Sequence, residues 1–260
     1  MEHTRHGYWL QEVGPVQPAP SLVGGASADV VVLGGGFTGL WTAWHLKQLE
    51  PEARVTLLEA DLCGNGPSGR NGGFCNVMWF SLPNMRRRWG DEGALAVARA
   101  SSEAVAGIGE FCAEQGVDAW YRHGGYLQVS AAPAQDGIWG EPVEACRELG
   151  VADAVEPLSP EGVAAHCASP AFRGGAFYPD SATVQPARLA LGRGDAPARL
   201  PIVDPAPRRV PPEPLHWLGG TAIRAGIMSK EGAESEGRRP HPLGAALARV
   251  PELIGFHIGR

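Results

Sequence analysis

Residues 29–59 constrain this chain more than any other stretch. Asp29–Leu33 (DVVVL) is a short β-branched run, the composition of a strand buried on both faces. It breaks into Gly34-Gly35-Gly36. From Thr38 to Leu49 the spacing becomes helical, with Leu40, Trp41, Trp44 and the stem of Lys47 or Gln48 following at three or four, and Pro51 closes the segment. Arg54–Glu59 (RVTLLE) reads as a second strand. Strand, helix and strand within about 30 residues is the length of one right-handed crossover unit. The expected fold class is therefore α/β.

The turn after the first strand carries the chemistry. Gly34-x-Gly36-x-x-Gly39 follows a predicted strand, opens a predicted helix, and is followed 20 residues beyond Gly39 by Glu59. Gly34 permits the tight turn, Gly36 lets a pyrophosphate approach the backbone, and Gly39 lets helix and strand pack closely. The helix N-terminus offers unpaired N–H groups and partial positive charge to phosphate. Glu59 can accept hydrogen bonds from both hydroxyls of an adenosine ribose and disfavours a 2′-phosphate. This motif serves NAD and FAD alike, so the α/β fold is expected to be a Rossmann-like FAD/NAD(P)-binding domain. A second glycine loop, Gly64-Asn65-Gly66-Pro67-Ser68-Gly69-Arg70-Asn71-Gly72-Gly73, begins five residues past Glu59. Its glycines, hydroxyl and arginine suit a backbone nest that reaches a pyrophosphate from the other side or lies beside a flavin ring.

The remainder to residue 190 alternates helices and strands. Asp91–Gln115 is a long Ala-rich helix with Gly116 as its cap, and Ala119–Ser130 reads as a hairpin turning at Gly124-Gly125. Helices follow near 134–149 and 160–167, then a strand at Phe172–Tyr178 and a helix opened by Pro186. The character changes at Leu191. Residues 1–190 hold 12 basic and 21 acidic residues, and 191–260 hold 10 and 7, with 10 Pro and 10 Gly and no sustained apolar periodicity.

Across all 260 residues the formal charge is −6, which gives no general electrostatic case for nucleic acid or an anionic membrane as partner. No stretch reaches the 18 or so apolar residues that span a bilayer, and the polar start MEHTRHGYWLQEV is not a signal peptide. Cys63, Cys75, Cys112, Cys146 and Cys167 are odd in number and never spaced as CxxC. Reduced thiols in a cytoplasmic protein, with no metal site, are the expectation.

The run DVVVLGGGFTGLWTAWHLKQLEPEARVTLLEADLCGNGPSGRNGGF resembles the start of the FAD-dependent glycine/D-amino-acid oxidase (DAO) family, in its γ-glutamylputrescine-oxidase-like branch. Tyr8-Trp9-Leu10, Tyr121–Leu127 (YRHGGYL) and Thr183–Leu189 (TVQPARL) fit it as well, so the likeness covers about residues 8–190. It implies FAD held by Gly34, Gly36, Phe37, Thr38, Gly39, Glu59 and Ala60, and by Ser68, Gly69, Arg70, Asn71, Gly72 and Gly73. It implies oxidation of an amine or amino acid by hydride transfer to flavin and then to dioxygen, and a substrate domain of α+β type inserted into the FAD domain. On that basis residues 1–28 form a leader and 29–115 the N-terminal part of the FAD domain. Residues 116–190 begin the substrate domain and return to the FAD domain, and 191–260 form an atypical tail.

Family members are longer, and the sequence after Leu191 does not resemble them. A C-terminally truncated oxidase, produced by a reading-frame change near Leu191 in a GC-rich gene, is the expectation, and translating the other frames decides it. A catalytically silent fragment and an NAD-dependent dehydrogenase are the alternative readings. No catalytic residue can be carried over. Among the other residues, Cys75 reads as a small buried hydrophobe and Arg86-Arg87-Arg88 as a solvated turn after Pro83. Trp41 and Trp44 are expected against the sheet. Tyr121, Arg122 and Tyr126 either line an amine pocket or alternate between core and solvent.

Overall fold

The computed structural model describes residues 6–192 and, as backbone, residues 202–205. They divide into two compact units. One is built from the chain up to Asn71 and again from Pro186 onward; the other is Gly72–Gln185.

The first unit opens with helix α1 (Tyr8–Val13) and strand β1 (Ser21–Leu22), both inside the stretch read as a leader. The expected crossover follows as β2 (Val30–Leu33), α2 (Phe37–Leu49) and β3 (Val55–Leu58), with β2 and β3 parallel and Val30 opposite Val55. Val30, Val32, Val55 and Leu57 are buried on the α2 side with Ala43 and Leu46, because parallel strands need a helix to cover their apolar residues.

The face that α2 buries is Gly39, Thr42, Ala43 and Leu46. Trp41 and Trp44, expected against the sheet, are only half-buried. Small residues win the central positions because Gly39 sits where a Cβ would come within 3.3 Å of Val32 and collide with the Gly34 carbonyl oxygen. Indole rings have no room there, and Trp41 stacks instead on His45, centroids 5.9 Å apart.

The second unit runs β4 (Phe74–Cys75), α3 (Leu82–Gln115), β5 (Arg122–His123), β6 (Tyr126–Val129), α4 (Gly140–Glu148), β7 (Glu156–Leu158), α5 (Pro160–His166), β8 (Gly175–Tyr178) and β9 (Ala182–Thr183). Its strands form two antiparallel sheets, β4-β9-β5 and β6-β8-β7. The expected hairpin at Gly124-Gly125 is therefore a crossing point. β5 pairs with β9 and β6 pairs with β8, and Gly125 (φ 75°) turns the chain from one sheet to the other.

The expected helix Asp91–Gln115 is present, and a shorter helical stretch from Leu82 precedes it within α3. Pro83 occupies its first turn, where its missing N–H costs nothing, and Gly90 (φ 71°) breaks the helix before Asp91. Arg86–Arg88 thus lie on a helix rather than in a turn, and Arg86 bridges Asp91 and Glu148 at 2.8 and 2.5 Å.

The chain re-enters the first unit as α6 (Pro186–Leu191) and β10 (Ile202–Pro205). β10 lies parallel between β1 and β3, completing the order β1-β10-β3-β2. The tail expected from Leu191 otherwise lies outside the described residues. No described helix is long and apolar enough to cross a membrane, and none of the five cysteines is in a disulfide.

Leu57 is 1% exposed at the centre of the parallel sheet. Leu57→Ala should lower the unfolding free energy by about 2–5 kcal/mol in urea titration. In the second unit, the Arg173 guanidinium and then the Ser130 hydroxyl hold the Asp136 carboxyl down to about 2. A depressed carboxyl stabilises the fold above its unfolded value and loses that contribution as pH falls through its folded value. The stability gap between wild type and Asp136→Asn should therefore be constant near neutrality and close as pH falls from about 4 to about 2.

Candidate functional site

Gly34 (φ 104°) ends β2 in a left-handed turn that an L side chain resists, and donates its N–H to the Leu58 carbonyl at 2.8 Å. The chain then enters α2 with Gly36 at the N-cap. Gly36 has no side chain to satisfy the first-turn amides. The Phe37 amide donates to Ser68 Oγ at 2.9 Å. Among the described residues, the amides of Gly36, Thr38 and Gly39 have no acceptor. Three open donors at the positive end of a 13-residue helix form a cradle for an anion.

Glu59, at the end of β3, turns back onto this loop. Its Oε2 accepts from the Gly35 amide at 2.6 Å, and its Oε1 from the Ala60 and Asp61 amides at 2.8 and 3.1 Å. These bonds fix the carboxylate beside the glycine turn. They occupy three of its roughly four lone-pair positions, leaving room to accept from a hydroxyl.

The second glycine loop repeats the geometry of the first. Gly64-x-Gly66-x-x-Gly69 has the same spacing as Gly34-x-Gly36-x-x-Gly39. Gly64, like Gly34, has positive φ (78°), and a Cβ at Gly69 would collide with the Gly64 carbonyl oxygen just as one at Gly39 would with that of Gly34. The two loops interlock. The Gly64 amide donates to the Gly35 carbonyl at 2.9 Å, and a Cβ at Gly35 would lie 2.5 Å from Cys63 Sγ.

Arg70 does not stand free as a cation. Its Nε donates to the Asn65 carbonyl at 2.6 Å and its Nη2 to Asn65 Oδ1 at 3.0 Å, so it braces the loop. Asn71 donates from Nδ2 to the Ser68 carbonyl at 2.8 Å. The structure thus brings Gly34, Gly36, Phe37, Thr38, Gly39, Glu59, Ala60, Ser68, Gly69, Arg70 and Asn71 into one unit, and Gly72 and Gly73 begin the other.

Sequence reasoning missed Gly35, Cys63 and Asn65. The repeated six-residue spacing could have pointed to the paired loops; a variable position such as Gly35 carries no such signal. Tyr121 donates to the Val105 carbonyl at 3.0 Å, and Tyr126 stacks on buried Tyr178, so both serve packing while Arg122 is exposed. Cys75 is half-buried and burial pushes its thiol up, as befits a small hydrophobe. Among the described residues no three His, Cys, Asp or Glu gather to hold a metal.

The donor set fits FAD. Open amides at a helix N-terminus suit the diphosphate, and a carboxylate at the end of the second strand suits the ribose. Fold and site together define a dinucleotide-binding α/β protein with a doubled glycine loop. The chain belongs to the DAO family of FAD dependent oxidoreductases, whose family model matches residues 29–200.

The chain is 30% identical over 196 residues to gamma-glutamylputrescine oxidoreductase of Escherichia coli (strain K12), covering 75% of this chain and 45% of that protein. Over 88 residues it is 39% identical to the probable oxidoreductase OrdL of Rhizobium meliloti (strain 1021), covering 33% of this chain and 18% of that protein. It spans less than half the length of the curated relatives it matches. Among solved structures, glycine oxidase from Geobacillus kaustophilus shares the fold with a TM-score of 0.51 at 18% identity, covering 64% of this chain and 42% of that one. L-amino acid deaminase from Proteus myxofaciens does so with a TM-score of 0.51 at 19% identity, covering 74% and 40%.

The close approaches make a test. Gly39→Ala and Gly69→Ala should each destabilise the protein by about 1–3 kcal/mol or more, since backbone cannot move aside as a side chain can. Gly66→Ala, with nothing within 4 Å of its Cβ, should leave the melting temperature unchanged. Equal effects at all three positions would contradict the interlocked loops.

Proposed function

We propose that this chain is the nucleotide-binding part of an FAD-dependent oxidoreductase acting on an amine or amino acid, with dioxygen as acceptor. The observation that carries the reading is the open helix N-terminus flanked by Ser68 on one side and Glu59 on the other. The amides of Gly36, Thr38 and Gly39 would hold the diphosphate, Glu59 would accept from the ribose, and Ser68–Asn71 would lie along the cofactor's other side. When bound, FAD supplies the two-electron acceptor that takes hydride from the substrate carbon beside nitrogen. The residues described here bind and orient. Gly36 keeps the backbone bare where a phosphate must approach, and the bonds from Gly35, Ala60 and Asp61 hold the Glu59 carboxylate in place.

The substrate class is supported by the 30% identical relative, whose name gives a γ-glutamyl amine. Gly72–Gln185 is read as the beginning of a substrate-binding domain. A cytoplasmic location belongs to the same proposal, supported by five cysteines that are all thiols.

Adding FAD to the purified protein should give stoichiometric bound flavin with quenched fluorescence, and a screen of amines and amino acids should then release peroxide from at least one. No flavin uptake would refute the reading. Uptake without peroxide from any amine would favour a scaffold that binds the cofactor but is catalytically silent. Thermal stabilisation by NAD but not FAD would instead favour a dehydrogenase.

A further inference from the structure

The leader helix α1 makes contacts that no nucleotide-binding role requires of it. Leu10 is 2% exposed, so the helix is seated rather than adrift. Trp9 Nε1 donates to the Asn71 carbonyl at 2.7 Å. A Cβ at Gly7 would lie 3.0 Å from Arg70 Cγ, so the backbone before the helix lies along the arginine stem. At the other end Glu12 meets Arg188 of α6 at 3.4 Å, with both side chains less than a quarter exposed. Helix α6 in turn backs the same loop. A Cβ at Gly64 would lie 2.7 Å from the Ala190 Cβ, and one at Gly69 would lie 3.6 Å from the Ala187 Cβ.

A chain of hydrogen bonds runs from this helix to the start of α2. Trp9 donates to the Asn71 carbonyl, Asn71 Nδ2 donates to the Ser68 carbonyl, and the Phe37 amide donates to Ser68 Oγ. Ser68 therefore takes its position from a residue 59 positions earlier in sequence, and passes it to the helix N-terminus. The loop's own bonds brace it from within, and a fixed outer partner sets where the braced loop stands against α2.

We infer that α1 is a strap that fixes the conformation of the 64–71 loop, with Trp9 as its positioning residue. That this loop serves FAD rests on the function proposed above; that α1 fixes the loop does not. The strap adds no atom to the cofactor site. It acts through Asn71 and Ser68.

The test uses Trp9→Phe, which keeps an aromatic ring while removing the donor and the second ring of the indole. In the flavin-free chain, amide exchange in 64–71 should rise about fivefold to tenfold, the worth of one hydrogen bond, while β2, β3 and α2 beyond its first turn stay unchanged. Glu12→Gln, at the far end of the strap, should loosen the same segment to a smaller degree and serves if Trp9→Phe folds poorly. FAD dissociation, followed by recovery of flavin fluorescence, should be about fivefold faster in Trp9→Phe. In a Ser68→Ala background the same change should add less than about twofold, because the bond that passes the loop's position to the Phe37 amide is already cut. A merely structural role would leave the two effects additive.

Unchanged exchange in 64–71, exchange raised across the whole unit, or full additivity with Ser68→Ala would each overturn the strap. If the wild type takes up no FAD while Trp9→Phe still loosens 64–71 selectively, the strap stands and the cofactor reading falls.

Discussion

Two places where a carbonyl oxygen lies against an α-carbon govern the first unit. At Gly39 and at Gly69 the backbone comes so near the carbonyl of the residue five before that any side chain would collide. Each approach closes a loop with a positive-φ glycine at its start. The first lets α2 settle directly on β2, which fixes where the helix begins and so where its amides point. The second folds the Gly64 loop tightly enough for Ser68 to reach the first loop. Without the close approach at Gly39 the helix would stand off the sheet, and Val32, Ala43 and Leu46 could not share one core.

The crossover was legible because its signals are local: a β-branched run, three glycines, a helical period, and an acid at a fixed distance. What failed was whatever depends on partners far along the chain. Trp41 and Trp44 carry the largest apolar surface of α2, so periodicity assigns them inward. The helix instead buries Gly39, Thr42, Ala43 and Leu46, since backbone proximity outweighs side-chain area there. The Gly124-Gly125 turn has hairpin chemistry, and only the arrival of β8 and β9 some 50 residues later splits its two strands between sheets.

The site divides in the same way. Gly34, Gly36, Gly39 and Glu59 could be named from spacing alone, because each meets a demand that spacing expresses. Trp9 could not be given a role. Its partner is the carbonyl of Asn71, and backbone acceptors leave no trace in sequence. Arg70 has a structural role that is hidden for a related reason. An arginine in a glycine loop reads as a cation for an anion, and the two donors it gives to Asn65, one of them to a backbone carbonyl, could not be foreseen from spacing.

The strand order β1-β10-β3-β2 has a consequence for how the molecule is made. β1 and β3 are separated in the sheet by a strand that leaves the ribosome some 140 residues after β3. At about 5–20 residues per second that is roughly 7–28 seconds in which the nascent sheet has an open slot. β2, α2 and β3 can close on themselves at once. α1 and β1 are made before β2 yet wait for segments made after Gln185, since α1 gains its ion pair from Arg188 and β1 its only strand partner among the described residues from β10. During that interval the exposed edge of β3 is the surface on the nascent chain that a chaperone would have reason to cover.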